Sequence, residues 1–162
     1  MRIVTWNLNG LRAAHRKGLD NFIDKIDADI WLFQEVRALP EQMPDNWKPA
    51  DNHEVIWHPA QKKGYSGVST WSRVEMSEEG RGISTDVDIG DSEGRVLYTK
   101  HGILHCINIY LPNGGANIQR QRFKDKWLED LLIWANKFID IDEPVLLCGD
   151  LNIAHTENDI WN

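Results

Sequence analysis

Three apolar runs in this chain end on the same kind of residue, and that repetition constrains the fold more than any other feature. Ile3-Val4-Thr5-Trp6 leads into Asn7-Leu8-Asn9-Gly10, Ile30-Trp31-Leu32-Phe33 into Gln34-Glu35, and Val145-Leu146-Leu147-Cys148 into Gly149-Asp150-Leu151-Asn152. Short β-branched and aromatic runs bounded by turn residues read as strands. Open α/β sheets collect ligands outside the carboxyl ends of their strands. Side by side, the three exits bring Asn7, Glu35, Asp150 and Asn152 around one point. Asp150 and Asn152 are two apart, so in extended backbone their side chains face the same way.

The remaining pattern agrees with a mixed sheet. Strand-like runs cover residues 3–8, 29–33, 55–58, 67–72, 95–99, 103–110 and 145–149. Apolar spacing predicts helices over 18–25, with Leu19, Phe22, Ile23 and Ile26 on one side, and over about 118–139. In the second, Phe123, Trp127, Leu131, Trp134 and Phe138 recur every three or four residues, and Pro144 closes the loop that follows. Residues 40–49, 62–64 and 78–94 read as loops, and the charges of Glu78, Glu79, Asp86, Asp88, Asp91 and Glu93 as a solvated rim. The order predicts an α/β fold, a mixed β-sheet with helices packed on one face. A length of 162 residues suits a single domain. Trp6, Trp31, Trp71 and Trp134 lie in apolar runs and are expected in the core.

Charge and cysteines narrow the function classes. The formal net charge of −7 argues against a protein that coats nucleic acid by bulk electrostatics. It leaves room for carboxylates that hold a cation, because the ion offsets them locally. Basic groups do cluster, at Arg12, His15, Arg16 and Lys17, at Lys62 and Lys63, and at Arg120, Arg122, Lys124 and Lys126. Such clusters grip phosphates, although the last also reads as the polar face of the long helix. Cys106 and Cys148 sit in apolar runs and read as buried free thiols of a reducing compartment. No Cys-x-x-Cys pattern points to zinc. No signal peptide or membrane-length apolar run is present, so an intracellular, soluble protein of the cytoplasm, nucleoid or nucleus is expected, with no membrane partner.

The four residues at the strand exits offer oxygen and amide groups, with no sulfur or imidazole. That donor set selects a hard cation, Mg²⁺ or Mn²⁺ in its place, and implies metal-assisted attack on a phosphodiester. Each piece alone is an ordinary turn or strand end; their joint occurrence carries the reading. Tyr110-Leu111-Pro112-Asn113 follows a further strand and, alone, reads as a turn opened by proline.

Taken together, Thr5-Trp6-Asn7-Leu8-Asn9-Gly10-Leu11-Arg12-Ala13, Leu32-Phe33-Gln34-Glu35, Gly64-Tyr65-Ser66-Gly67-Val68, Glu93-Gly94-Arg95-Val96, Tyr110-Leu111-Pro112-Asn113 and Leu147-Cys148-Gly149-Asp150-Leu151-Asn152-Ile153-Ala154-His155 resemble the exonuclease III / AP endonuclease family, within the endonuclease/exonuclease/phosphatase superfamily. The resemblance runs in order along essentially the whole chain. It implies a four-layer, two-sheet α/β sandwich and Mg²⁺-dependent cleavage of double-stranded DNA at abasic sites. It also implies 3′→5′ exonuclease and 3′-phosphodiesterase activity at 3′ ends. By the same resemblance Glu35 binds the metal with help from Asn7. Asp150 aligns or deprotonates the attacking water or joins a second metal position, and Asn152 orients phosphate and nucleophile. Tyr110 supports the transition state, Asn113 contacts phosphate, and Arg12, Tyr65, Arg95 and Arg120 touch the DNA backbone. Such chemistry needs positioning and charge stabilisation more than covalent help.

Departures from the family pattern set further expectations. Asn9 stands where some members carry an aspartate, and Arg37 where many carry lysine. The family's later Arg-x-Asp strand and Ser-Asp-His motif do not occur, and His15, His53, His58, His101, His105 and His155 read as surface or loop residues. Half of the sandwich is therefore expected, with the second sheet largely missing after Asn162 and the active site incomplete. A C-terminal half, or a second copy through an exposed sheet face, is the partner that this implies. Two other readings stay open: a superfamily phosphodiesterase acting on a phosphoinositide, sphingomyelin or poly(A), and a non-catalytic binding or assembly module.

Overall fold

Alternation along the strands decides which side of each sheet meets a helix and which meets the other sheet. The computed structural model describes residues 1–159 apart from 46, 50, 51, 84–91 and 116; Asp86, Asp88 and Asp91 of the charge run lie outside them. In chain order the elements are β1 (Ile3–Asn7), α1 (Leu11–Arg16), α2 (Leu19–Ile26), β2 (Ile30–Gln34), β3 (Glu54–His58), β4 (Val68–Ser72), β5 (Glu78–Arg81), β6 (Val96–His101), β7 (Leu104–Tyr110), α3 (Ile118–Ala135) and β8 (Val145–Asp150). They form two four-stranded sheets, in the orders β1-β2-β4-β3 and β5-β6-β7-β8. The pairs β1–β2 and β7–β8 are parallel and the others antiparallel.

On β2, Trp31 and Phe33 face outward and pack with Trp71 against Leu11, Leu19 and Ile23 of the first two helices. The alternate residues Ile30 and Leu32 face inward and meet Cys106 of the second sheet. Both faces of β2 are covered, so all five of its residues are buried. On the far side, Trp127, Phe123, Leu131, Trp134 and Phe138 cover Ile107 and Ile109. The layers run helix, sheet, sheet, helix. Cys106 and Cys148 are free, the first buried and the second half-buried. No described helix is long and apolar enough to cross a membrane.

A polar pair fixes the two sheets against each other. Gln34, on the inward face of β2, donates through Nε2 to Asn108 Oδ1 of β7 at 2.7 Å and to Thr5 Oγ1 at 2.9 Å. Asn108 Nδ2 in turn donates to the carbonyls of Phe33 and Ser69, both at 3.1 Å. Both side chains are at most 1% exposed, so a lost partner cannot be replaced by bulk water. Asn108→Ala is expected to lower stability by about 1–3 kcal/mol, the cost of a buried polar group left unmade. Urea unfolding measures it, and a change smaller than about 0.5 kcal/mol, that of an ordinary surface substitution, refutes the role.

The α/β class, the mixed sheets and a partial sandwich hold, and four details are corrected. The second sheet is not largely missing, since four strands build it. Trp6 is 39% exposed because its strand is a sheet edge. The loop expected over 78–94 begins with β5, a short polar strand without apolar alternation. His58, His101 and His105 lie in strands and are buried.

Candidate active site

Strand register delivers the site. Asn7 pairs with Gln34 across β1 and β2, so it stands beside Glu35. The two exits are tied by Leu8 N–H to Gln34 O at 2.9 Å and Gly10 N–H to Glu35 O at 2.7 Å. In the other sheet Tyr110 pairs with Asp150, and Leu111 N–H bonds the Asp150 carbonyl at 2.9 Å. The exits of β1 and β2 thus meet those of β7 and β8 at one end of the sandwich. Asn9, Glu35, Arg37 and Asn152 all have positive φ, between 46° and 51°. Backbone strain of this kind gathers where side chains must be aimed.

The side chains converge. Asn7 Nδ2 donates to Asp150 Oδ2 at 2.7 Å and to Glu35 Oε1 at 3.2 Å, so one amide bridges carboxylates from two sheets. The Tyr110 hydroxyl also donates to Glu35 Oε1, and Arg37 pairs with Oε2. Asn152 stands on the same loop: its N–H bonds Asp150 Oδ1 at 3.0 Å and its Nδ2 donates to Leu111 O at 2.8 Å. Lys124 Nζ reaches from α3 to the Asn152 carbonyl at 2.7 Å. Among the described residues no three His, Cys, Asp or Glu side chains gather as a metal cluster. The group is two carboxylates completed by neutral amides. Arg37, with 41% of its side chain exposed, is the full positive charge paired with Glu35.

Burial pushes the Glu35 carboxyl up, but hydrogen bonds from Tyr110 and Asn7 and the Arg37 charge outweigh it and hold it below its ordinary 4.5. Burial pushes the Tyr110 phenol up, and its bond to Glu35 adds to the rise, so it stays protonated as a donor. A carboxyl with a lowered folded pKa adds stability above its unfolded pKa and loses it as pH falls through the folded one. Tyr110→Phe removes the largest downward contribution, so the Glu35 pKa rises and acid unfolding moves to higher pH. Tryptophan fluorescence across an acid titration checks this; coincident midpoints for the two proteins contradict it.

A second knot lies behind the first. Tyr65, Arg95 and Arg120 meet around Glu93, whose carboxyl is held below its ordinary range: burial pushes it up, and bonds from Arg120 and Arg95 outweigh it. Arg95 departs from the expected DNA contact. Its side chain is 2% exposed and engaged on Glu93, the Tyr110 carbonyl and the Tyr65 hydroxyl. Arg120 and Tyr65 are half-buried. Arg12 is exposed and, with Arg16 and Arg37, lines an open cavity of about 350 Å³ beside Gly10, Ala13 and Gly64. Asn113 is exposed, its Oδ1 accepting the Gly115 N–H at 2.9 Å. The structure therefore brings Asn7, Glu35, Tyr110, Asp150 and Asn152 together, joins Tyr65, Arg95 and Arg120 in a knot, and leaves Arg12 and Asn113 on the surface. Sequence reasoning missed Arg37, Glu93 and Lys124. Glu93 stood in a motif already noted, Arg37 two residues past Glu35, and Lys124 in a basic cluster read either as a phosphate grip or as a polar helix face.

Residues 4–162 match the model of the Endonuclease/Exonuclease/phosphatase family. An exodeoxyribonuclease of Bacillus subtilis (strain 168) is 38% identical over 164 residues, covering all of this chain and 62% of that protein. A DNA-(apurinic or apyrimidinic site) endonuclease of Dictyostelium discoideum is 31% identical, covering all of this chain and 44% of its own length. Among solved structures, a 3′-5′ exonuclease of Neisseria meningitidis superposes with a TM-score of 0.86 at 24% identity, over the whole chain and 62% of that protein. An AP endonuclease of Archaeoglobus fulgidus gives 0.83 at 24%, over the whole chain and 61% of that protein. These likenesses fix the fold, and the chain spans less than two thirds of the length of these relatives.

Proposed function

The chain belongs to the Endonuclease/Exonuclease/phosphatase family, and from that membership we propose that it carries the cation-binding site of a DNA-repair phosphodiesterase. The reading is an abasic-site endonuclease and 3′→5′ exodeoxyribonuclease or 3′-phosphodiesterase acting on double-stranded DNA, with Mg²⁺ as cofactor and Mn²⁺ as substitute. The observation that carries it is the meeting of Glu35 and Asp150, from different sheets, on the single neutral amide of Asn7.

The residues fit a hard cation. Two carboxylates meet with Arg37 as their one paired positive charge among the described residues, so the centre keeps a net negative charge, and the groups that could ligate an ion offer oxygen. Glu35 and Asp150 would hold the ion with help from Asn7, whose Oδ1 accepts the Asn9 N–H at 2.9 Å. Bound there, such an ion supplies charge stabilisation at a phosphoryl oxygen and an acidified water. The chain's own groups do the rest. The Tyr110 phenol, kept protonated, offers a hydrogen bond to a phosphate oxygen as well as to Glu35. Asn152, pinned by Leu111 O and Lys124, orients the phosphate beside Asp150. Arg12 and Arg120 supply charge for the backbone.

Incubating the complete protein with a duplex that carries one abasic site, in Mg²⁺, tests the reading. Nicking 5′ to the site is expected; a duplex left intact in both Mg²⁺ and Mn²⁺ rejects it. A second reading, association through a sheet face, has its own support. Val145, Leu147, Leu151 and Ile153 on or after the edge strand β8 are 38–56% exposed, and patches of this kind mark interaction surfaces.

A further inference from the structure

Glu93 holds the second knot together. Its Oε2 accepts from Arg95 Nε at 2.6 Å and Arg120 Nη2 at 2.9 Å. Its Oε1 accepts from Arg120 Nη1 at 3.0 Å and the Tyr65 hydroxyl at 3.3 Å. Two guanidiniums share this one anion, which offsets their mutual repulsion.

The other side of Arg95 points at the first cluster. Its Nη1 donates to the Tyr110 carbonyl at 3.0 Å, and its guanidinium lies 4.7 Å from the centre of the Tyr110 ring. That places a buried cation on an aromatic face. The hydroxyl at the far end of the same ring donates to Glu35. A continuous line of contacts therefore runs from Glu93 through Arg95 and Tyr110 to Glu35.

We infer that Glu93 is a positioning residue: by clamping Arg95 against Tyr110 it aims the Tyr110 hydroxyl at Glu35. Arg95 works through Tyr110 and does not meet substrate, since its guanidinium is buried and each of its three nitrogens is engaged. Arg120, with 23% of its side chain exposed, is the member of the knot left to meet a phosphate. The kinetic consequences rest on the proposed function; the positioning itself does not.

The chain has three tyrosines, Tyr65, Tyr98 and Tyr110, so ¹³C labelling at tyrosine Cζ gives three NMR signals, assigned with single Tyr→Phe variants. Tyr98 hydrogen-bonds His105 at 2.9 Å, away from the knot, and serves as the internal reference. Glu93→Gln keeps the shape and removes the charge. The Tyr65 and Tyr110 signals are expected to move while that of Tyr98 stays. A folded variant with an unmoved Tyr110 signal overturns the inference. Should Glu93→Gln fail to fold, Glu93→Asp keeps the charge on a shorter arm; a smaller movement of Tyr110 is expected, and none overturns the inference. On an abasic-site duplex, Glu93→Gln is expected to lower kcat by about 100-fold, the scale of a misplaced reacting group, with a smaller change in KM through Arg120. A raised KM at constant kcat means that the knot grips substrate instead, and overturns it. Inactivity of the complete wild-type protein counts against the proposed function alone, and the tyrosine signals then decide the positioning role.

Discussion

Asp150→Asn is expected to lower divalent-ion affinity by at least about 100-fold, more than the loss of an outer-shell partner costs. Cleavage of an abasic-site duplex should fall by about 1000-fold, since a bound cation contributes several kcal/mol and each 1.36 kcal/mol is tenfold in rate. The fold should survive. An asparagine at this position keeps an oxygen for the Asn152 N–H, which Asp150 Oδ1 now accepts at 3.0 Å. It also keeps the backbone bond from Leu111 at 2.9 Å and the pairing with Tyr110. What changes is Oδ2. A carboxylate oxygen that takes the Asn7 amide at 2.7 Å becomes an NH₂ group facing another, which neither holds a cation nor accepts from Asn7. Calorimetric titration with Mn²⁺ reads the first effect, single-turnover cleavage the second, and urea unfolding guards against a trivial cause. Wild-type affinity for Mn²⁺ in the variant removes Asp150 from the cation site, whatever happens to cleavage.

Much of this geometry was legible in the chain before folding, and the reason is local. Asn7, Glu35, Asp150 and Asn152 each lie within four residues of the end of an apolar run, and a strand's direction fixes where its end lies. The seven strands read from the sequence match observed ones within two residues at each end. What local pattern cannot supply is pairing. Nothing in Val96–His101 or Leu104–Tyr110 says that these strands join β5 and β8 and leave β1 to β2. The second sheet was consequently underestimated. The same limit applies to Arg95. Guanidinium next to a glycine turn looks like a surface charge, and its burial depends on Glu93 and Tyr110 arriving from other parts of the chain. Six-residue α1 was missed because it is too short to show a period. On α3 the stripe Phe123–Trp127–Leu131–Trp134–Phe138 was read correctly, yet Leu132 and Ile133, at 66% and 71% exposure, lie outside it. Helical periodicity identifies the larger apolar face and is silent about apolar residues on the other.

Gly149→Ala is expected to cost about 3–5 kcal/mol of stability, at the upper end of what single substitutions do. Two effects add. Gly149 has φ of +144°, which an L residue adopts only at a cost of about 1–3 kcal/mol. Its missing Cβ also leaves room for β7: a Cβ there would stand 1.9 Å from the Ile109 carbonyl oxygen and 3.0 Å from its nitrogen. Both are backbone atoms, so no rotamer change relieves the contact. Gly149 pairs with Ile109 in the parallel ladder between β7 and β8, and Ile109 is fully buried, which blocks retreat toward the helix layer. The strands must separate, and the next pair along is Tyr110 with Asp150. The same substitution should therefore loosen the proposed cation site even where the protein stays folded at low temperature. Gly102→Ala is the control. Its φ of +61° is also positive, but a Cβ there meets nothing within 4 Å, so it isolates the conformational cost at about 1–3 kcal/mol. Chemical unfolding of the two variants against wild type separates strain from collision. Equal losses at positions 149 and 102 mean that β7 and β8 yield without cost, and that the close approach at Gly149 does not hold Asp150 in place.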